Sequence, residues 1–212
     1  MEKSKLAVLA IIFISFAIGF WAYPQMPDMV ASHWGSGGEV NDYMPKFWGV
    51  FLMPIVSLAM FFLFIFIPKI DPLKANVEKF KNYYNAFIVS IIFFLFYIYL
   101  LTIAWNLEYR FNMTYLMLPA LSALFYASGV LIENTKRNWF IGIKTPWTVS
   151  NDVVWDKTHK LGGKFFKAAA LLSLAGLLFG EMAIWFTILP VTFFSAYLIF
   201  YSYFEYQKET KK

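Results

Sequence analysis

Apolar residues along this chain come in blocks, each about as long as a bilayer is thick, with short polar stretches between them. About 30 Å of hydrocarbon at 1.5 Å rise per residue needs about 20 residues of helix. Six runs meet that length or approach it: 6–23, 47–68, 84–105, 113–132, 165–180 and 182–204. The pattern predicts an all-α integral membrane protein of one polytopic domain over residues 1–212, with six transmembrane helices. The fifth run is the shortest and carries Lys167 near its start, where a long side chain snorkels toward the interface. The fifth and sixth runs form a tight hairpin turning at Gly180-Glu181.

Composition supports that architecture, since 60% of the residues are apolar, 15% are charged and phenylalanine alone supplies 25 of 212. Basic residues then orient it. Six spans put both termini on one face, and 16 of the 18 lysines and arginines fall on that face, with Lys46 and Arg110 on the other. The excess of positive charge marks the cytoplasmic side, so both termini are predicted there. The formal charge of +5 needs no nucleic acid, because anionic lipid headgroups attract the same residues. Without cysteine there is no disulfide, thiol nucleophile or thiolate-bound metal. The stretch after the first run, Trp21-Ala22-Tyr23-Pro24, lacks a small-x-small cleavage pattern and reads as a retained anchor.

Two segments between the spans carry candidate chemistry. The first, residues 24–46, is the external segment large enough for recognition. Its prolines and glycines predict a compact, turn-rich loop, with His33, Trp34, Asn41, Tyr43 and Pro45 as the recognition residues. A second, cytoplasmic connector holds Asp71-Pro72 and the lysines from 74 to 81, with Pro72 opening a short helix.

The other segment, residues 133–164, is predicted to be a folded, basic cytoplasmic loop at the headgroup boundary, where indoles and lysines are at home. Gly142 bends the chain between two interfacial isoleucines, and Thr145-Pro146 forces an extended step into Trp147. Ser150 or Asn151 caps a short helix from Asp152 to Lys160, which Gly162-Gly163 ends. On that helix Asp152, Trp155, Asp156 and His159 share a face, and Asp156 precedes Lys160 at the spacing of a weak ion pair.

The string Asn138-Trp139-Phe140-Ile141-Gly142-Ile143-Lys144-Thr145-Pro146-Trp147-Thr148, with Trp155, Thr158, His159, Lys160, Gly162, Gly163 and Lys164 after it, closely resembles the loop of the SdpI family of polytopic membrane proteins. The segment with His33-Trp34 and Asn41-x-Tyr43-x-Pro45-Lys46 resembles an extracytoplasmic segment found upstream in that family, and Tyr201 to Tyr206 fits as well. The resemblance implies immunity to a secreted antimicrobial peptide toxin. It also implies signalling, through capture of a cytoplasmic transcriptional repressor at the inner face. The outer segment then engages the toxin and the inner loop communicates with the repressor.

Other readings stand beside this one. An exporter of an amphipathic peptide or lipid fits six spans, but no internal repeat supports an inverted-repeat transporter. A membrane-embedded metal-dependent enzyme is the third. His33 and His159, the two histidines, are predicted on opposite faces, so a site would have to join one of them to Asp28, Asp152 or Asp156. No H-E-x-x-H, G-x-S-x-G or P-loop pattern occurs, and no cofactor is expected. Finally, Ala169, Ser173, Gly176 and Gly180 form a small-residue stripe suited to close helix packing within the monomer, and Pro54, Pro119 and Pro190 lie inside spans.

Overall fold

The computed structural model describes residues 2–211; Met1 and Lys212, the latter counted among the cytoplasmic charges, lie outside the described residues. In chain order the elements are α1 (Glu2–Ala22), a hairpin of β1 (Met29–Trp34) and β2 (Val40–Pro45), α2 (Lys46–Ile70), α3 (Lys74–Lys79), α4 (Lys81–Asn106), α5 (Met113–Asn134), α6 (Pro146–Ser150), α7 (Asp152–Ala175) and α8 (Trp185–Thr210). Among the described residues, six helical stretches are long and apolar enough to cross a membrane. α1, α2 and α4 pack together, α4 leans on α5, and α7 sits between α5 and α8.

Two apolar clusters occupy the α1–α2–α4 half. One holds Val8, Phe61, Val77, Phe80, Tyr84 and Ile92; the other holds Ala22, Val30, Val50, Phe51 and Tyr99. Phenylalanines 13, 62, 66, 93, 193 and 200 point outward and are exposed. A soluble protein would not leave so much hydrocarbon uncovered, and lipid is the solvent that covers it.

Small side chains set the approach of α5, α7 and α8. Ala169, Ser173 and Gly176 are buried, the Ser173 and Thr187 hydroxyls bond at 2.6 Å, and a Cβ on Gly176 would lie 2.5 Å from the Ala183 carbonyl oxygen. This stripe packs inside the monomer. Gly180, by contrast, is exposed at φ +57° and makes the turn between two 3₁₀ segments that leads to α8.

Three expectations need correcting. Gly162-Gly163 does not end a helix, since α7 runs unbroken from Asp152 into the fifth span. Each glycine costs a helix about 1 kcal/mol, but here a Cβ on Gly163 would meet Glu133 Cβ at 2.6 Å and the Gly129 carbonyl oxygen at 2.8 Å. Close contact with α5 outweighs local propensity. The first segment is not merely turn-rich: it forms an antiparallel hairpin in which Met29 pairs with Pro45 and Trp34 with Val40. Pro72 precedes α3 without opening it, because Leu73 is the N-cap and its N–H donates to the Asp71 carboxylate at 2.7 Å.

Candidate functional site

The two segments singled out in the sequence lie at opposite ends of the bundle. The hairpin sits where α1 and α4 finish and α2 and α5 begin; residues 134–164 sit where α2 and α5 finish and α7 begins.

The buried polar residues of the second segment, Thr158 excepted, are tied down. Asn138, fully buried, donates from Nδ2 to the Lys136 and Ile141 carbonyls at 2.8 Å and accepts at Oδ1 from the Phe140 and Ile141 N–H groups at 2.9 and 2.6 Å. One side chain thereby closes a whole turn, a use to which asparagine is suited. The Trp139 N–H donates to Asp71 Oδ2 at 2.9 Å, and Asn76 donates to the Arg137 carbonyl at 2.9 Å. These two bonds fasten the segment to the connector after α2.

Gly142 then turns at φ +122°, and a Cβ there would lie 2.5 Å from His159 Nε2. His159 explains the crowding. Its Nε2 accepts from the Ile143 N–H at 2.9 Å and so carries no proton, while Nδ1–H donates to the Trp155 carbonyl at 2.8 Å. Both ring nitrogens serve the backbone, and the neutral tautomer is set by geometry. Trp155, fully buried, stacks on that imidazole at 3.9 Å and donates from its indole to the Thr135 carbonyl at 3.2 Å. Trp155 is thus a core residue and not an interfacial one. Ile141 is likewise buried and Ile143 half-buried, so these isoleucines face protein, not headgroups.

The extended Thr145 caps α6, with Pro146 in the first turn. The Thr145 and Thr148 hydroxyls each accept from the other's backbone N–H, at 3.1 and 2.9 Å respectively. Thr148 also donates to the Ile143 carbonyl at 2.9 Å, and Thr145 meets the Ser202 hydroxyl of α8 at 3.0 Å. Trp147 packs edge-on against Tyr203. Asn151 caps α7, and of the four residues expected on one face, Trp155 and His159 point inward while Asp152 and Asp156 point outward to Arg137 and Lys136. Asp156 is therefore engaged by Lys136 and not along its own helix by Lys160.

Two features had no signal in the sequence. Lys167, expected to snorkel, pairs with Glu133 of α5, and Lys157 bridges Glu205 and Glu209 of α8 at 2.8 and 3.0 Å. Gly162 lies under the Ile143 side chain. Trp139, Lys144, Pro146 and Lys160 remain exposed and form the accessible face of this end. Thr158 is fully buried, and its hydroxyl has no partner among the described residues.

The hairpin end is built differently. Val30 inserts between the strands and Gly49 of α2, and Asn106 at the end of α4 serves as an extra rung, accepting from the Ala31 N–H at 2.7 Å and donating to its carbonyl at 3.1 Å. The turn at 35–38, with Gly38 at φ +88°, is held by Asn112 donating to the Gly37 carbonyl at 2.7 Å. Trp34 leans on Trp105. His33, Asn41, Tyr43 and Pro45 stay exposed, with His33 Nδ1–H donating to Asn41 Oδ1 at 2.5 Å. Beside them, Met29, Tyr43, Trp105 and Arg110 line an open groove of about 660 Å³.

Comparison with known proteins finds likenesses to both segments. Residues 134–203 match the SdpI/YfhL protein family, and residues 10–58, which contain the hairpin, match a domain of unknown function, DUF1648. The chain is 24% identical over 183 residues to the immunity protein SdpI of Bacillus subtilis (strain 168), covering 86% of this chain and 82% of that one. No solved structure matches. With six helices long and apolar enough to cross a membrane among the described residues and this likeness along most of its length, the chain is a multi-pass plasma-membrane protein similar to the SdpI immunity protein, with its 134–203 end matching the SdpI/YfhL family.

Proposed function

We propose that this protein confers immunity to a secreted, membrane-active antimicrobial peptide, with the hairpin end outside the cell and both termini and the 134–164 end in the cytoplasm. The observation that carries the reading is the similarity to an immunity protein, which extends over 86% of the chain. Orientation rests on the basic residues, concentrated at the 134–164 end. In this reading the exposed His33, Asn41 and Tyr43, with the groove beside them, meet the toxin. The exposed Trp139, Lys144, Pro146 and Lys160 form the inner face, which contacts anionic lipid and presents a docking surface for a cytoplasmic repressor.

Expression in a toxin-sensitive strain tests immunity directly, with survival and a repressor-controlled reporter scored on the same cells at matched membrane abundance. Wild-type protein should protect. Replacing His33 and Tyr43 by alanine should weaken survival and reporter output together, because the signal begins outside. Lys144→Gln with Lys160→Gln should silence the reporter and leave survival largely intact. Lys157 is unsuitable for that test, since it also ties α7 to α8. No protection by the wild-type chain would refute the proposal.

A further inference from the structure

A crevice of about 250 Å³ opens among α1, α2, α3 and α4 at the same end of the bundle as residues 134–164. Its interior is apolar: Val8, Phe61, Val77, Tyr84 and Ile88 line it, all buried against one another. The Tyr84 hydroxyl is turned away from solvent, donating to the Phe64 carbonyl at 3.0 Å. The rim is the reverse, formed by Ser4, Lys5, Lys69, Glu78, Lys81 and Asn85.

The rim residues come from four helix ends: the start of α1, the last turn of α2, the end of α3 and the start of α4. That is the level at which hydrocarbon gives way to headgroups. Lys81 is spoken for by Glu78 at 2.6 Å. Lys5 and Lys69 have no hydrogen-bond or ion-pair partner among the described residues, so the rim keeps two uncompensated positive charges over an apolar floor. A soluble anion would satisfy the charges and leave the floor empty; a neutral lipid would do the opposite. A molecule carrying both a phosphate and a hydrocarbon chain satisfies both.

We propose that this crevice is a binding site for an anionic phospholipid, with its phosphate between Lys5 and Lys69 and an acyl chain running down toward Val8 and Ile88. None of the lining residues lies within 10–58 or 134–203, so the site stands apart from both matched segments. It is also independent of the immunity reading.

Native mass spectrometry of the full chain released from detergent provides the test, with phosphatidylglycerol, phosphatidylcholine and glycerol phosphate titrated separately. Phosphatidylglycerol should be retained, phosphatidylcholine far less, and glycerol phosphate not at all. At about fivefold per lysine near a membrane surface, Lys5→Gln with Lys69→Gln should cut phosphatidylglycerol retention about twenty-five-fold. Ile65→Trp, which fills the crevice and leaves the rim charges, should cut it as well. Undiminished retention by the lysine double variant would overturn the site. So would equal retention of the two phospholipids by wild-type protein, or retention of glycerol phosphate, which would mean a simple anion site. Should Ile65→Trp fail to fold, the phospholipid ratio on wild-type protein decides the matter alone.

Discussion

The two ends of the bundle use polar residues in opposite ways. At the 134–164 end, Asn138, Thr145, Thr148, Thr158 and His159 are buried, and all but Thr158 spend their hydrogen bonds on backbone of the same segment or on a neighbouring helix. At the hairpin end, the polar groups that hold the strands belong to the helices, Asn106 and Asn112, and the hairpin's own His33 and Asn41 face outward. A long string of uncommon residues therefore marks a structural knot, and the less distinctive hairpin offers the freer surface. A distinctive motif and a contact surface are separate things, and the exposed side chains of the motif, Trp139, Phe140, Lys144, Pro146, Lys160 and Lys164, are where the two overlap.

The sharpest way to break the comparison is to ask whether the ends face different compartments, where the expected result is all or nothing. The chain has no cysteine, so single cysteines can be placed at Ser36 in the hairpin turn and at Ser150 at the end of α6, both exposed. Ser36→Cys should react with a membrane-impermeant maleimide in intact cells, and Ser150→Cys only after lysis. The reverse pattern inverts the proposed orientation, and equal labelling removes it. Thr135 would be a poor reporter of the inner face, because it is buried and bonds the Ile132 carbonyl.

The next largest effect separates the knot from the hairpin at their tightest turns. Gly142→Ala combines a left-handed φ of +122° with a Cβ 2.5 Å from a ring nitrogen that is itself held by two bonds. Backbone strain and overpacking together should cost about 2 to 5 kcal/mol. Gly38→Ala has a similar φ of +88°, and its Cβ would meet the exposed Asn112 side chain, which can move only by giving up its bond to the Gly37 carbonyl. It should cost the strain and about one hydrogen bond, about 2 to 4 kcal/mol. Thermal unfolding in detergent compares the two, and a larger loss for Gly38→Ala would reverse the assignment of the rigid end.

Tryptophan exchange sharpens the contrast, through the small difference between the two phenylalanine variants. Trp155→Ala should destabilise by about 3 to 5 kcal/mol as a large core truncation, whereas Trp155→Phe keeps most of the packing and forfeits the bond to Thr135, about 1 kcal/mol. At the other end, the Trp34 indole N–H is buried and unpartnered among the described residues, so Trp34→Phe should be neutral or slightly stabilising. Equal destabilisation by the two phenylalanine variants would show that Trp34 has a partner after all.

What the sequence made legible is what can be seen in one dimension. Six runs of apolar residues announce six spans, because spanning length is a property of a single segment. Asn151 as a cap and Gly180 as a turn were readable for the same reason. The start of the fifth span was not, since Gly162-Gly163 looks like a stop until Gly129 and Glu133 of α5 are brought against it. The hairpin was hidden because bulges at Ala31–Trp34 break the alternation that marks a strand. Asp71 looked like a connector residue; its contact with the Trp139 N–H spans 68 positions of chain, beyond the reach of any local pattern. In the motif, the residue types stand out in the string, but their burial depends on α8 and the connector after α2, which the string itself does not contain.

The smallest expected difference lies inside the motif and tests whether it is structural throughout. Thr148 and Thr158 are both fully buried. The Thr148 hydroxyl accepts from the Thr145 N–H and donates to the Ile143 carbonyl, each at 2.9 Å, so Thr148→Val leaves buried backbone groups unpaired and should cost about 1 to 3 kcal/mol. The Thr158 hydroxyl has no partner among the described residues, so Thr158→Val removes an unsatisfied polar group and should be neutral or stabilising by up to about 1 kcal/mol. Unfolding midpoints of the two variants, with survival under toxin scored at matched abundance, read both properties. If Thr158→Val lowers the midpoint as far as Thr148→Val, the hydroxyl is part of the knot. If instead it leaves the midpoint unchanged but removes protection, Thr158 gives its bond to something outside the fold, and the buried motif contains a binding position that its exposed face does not reveal.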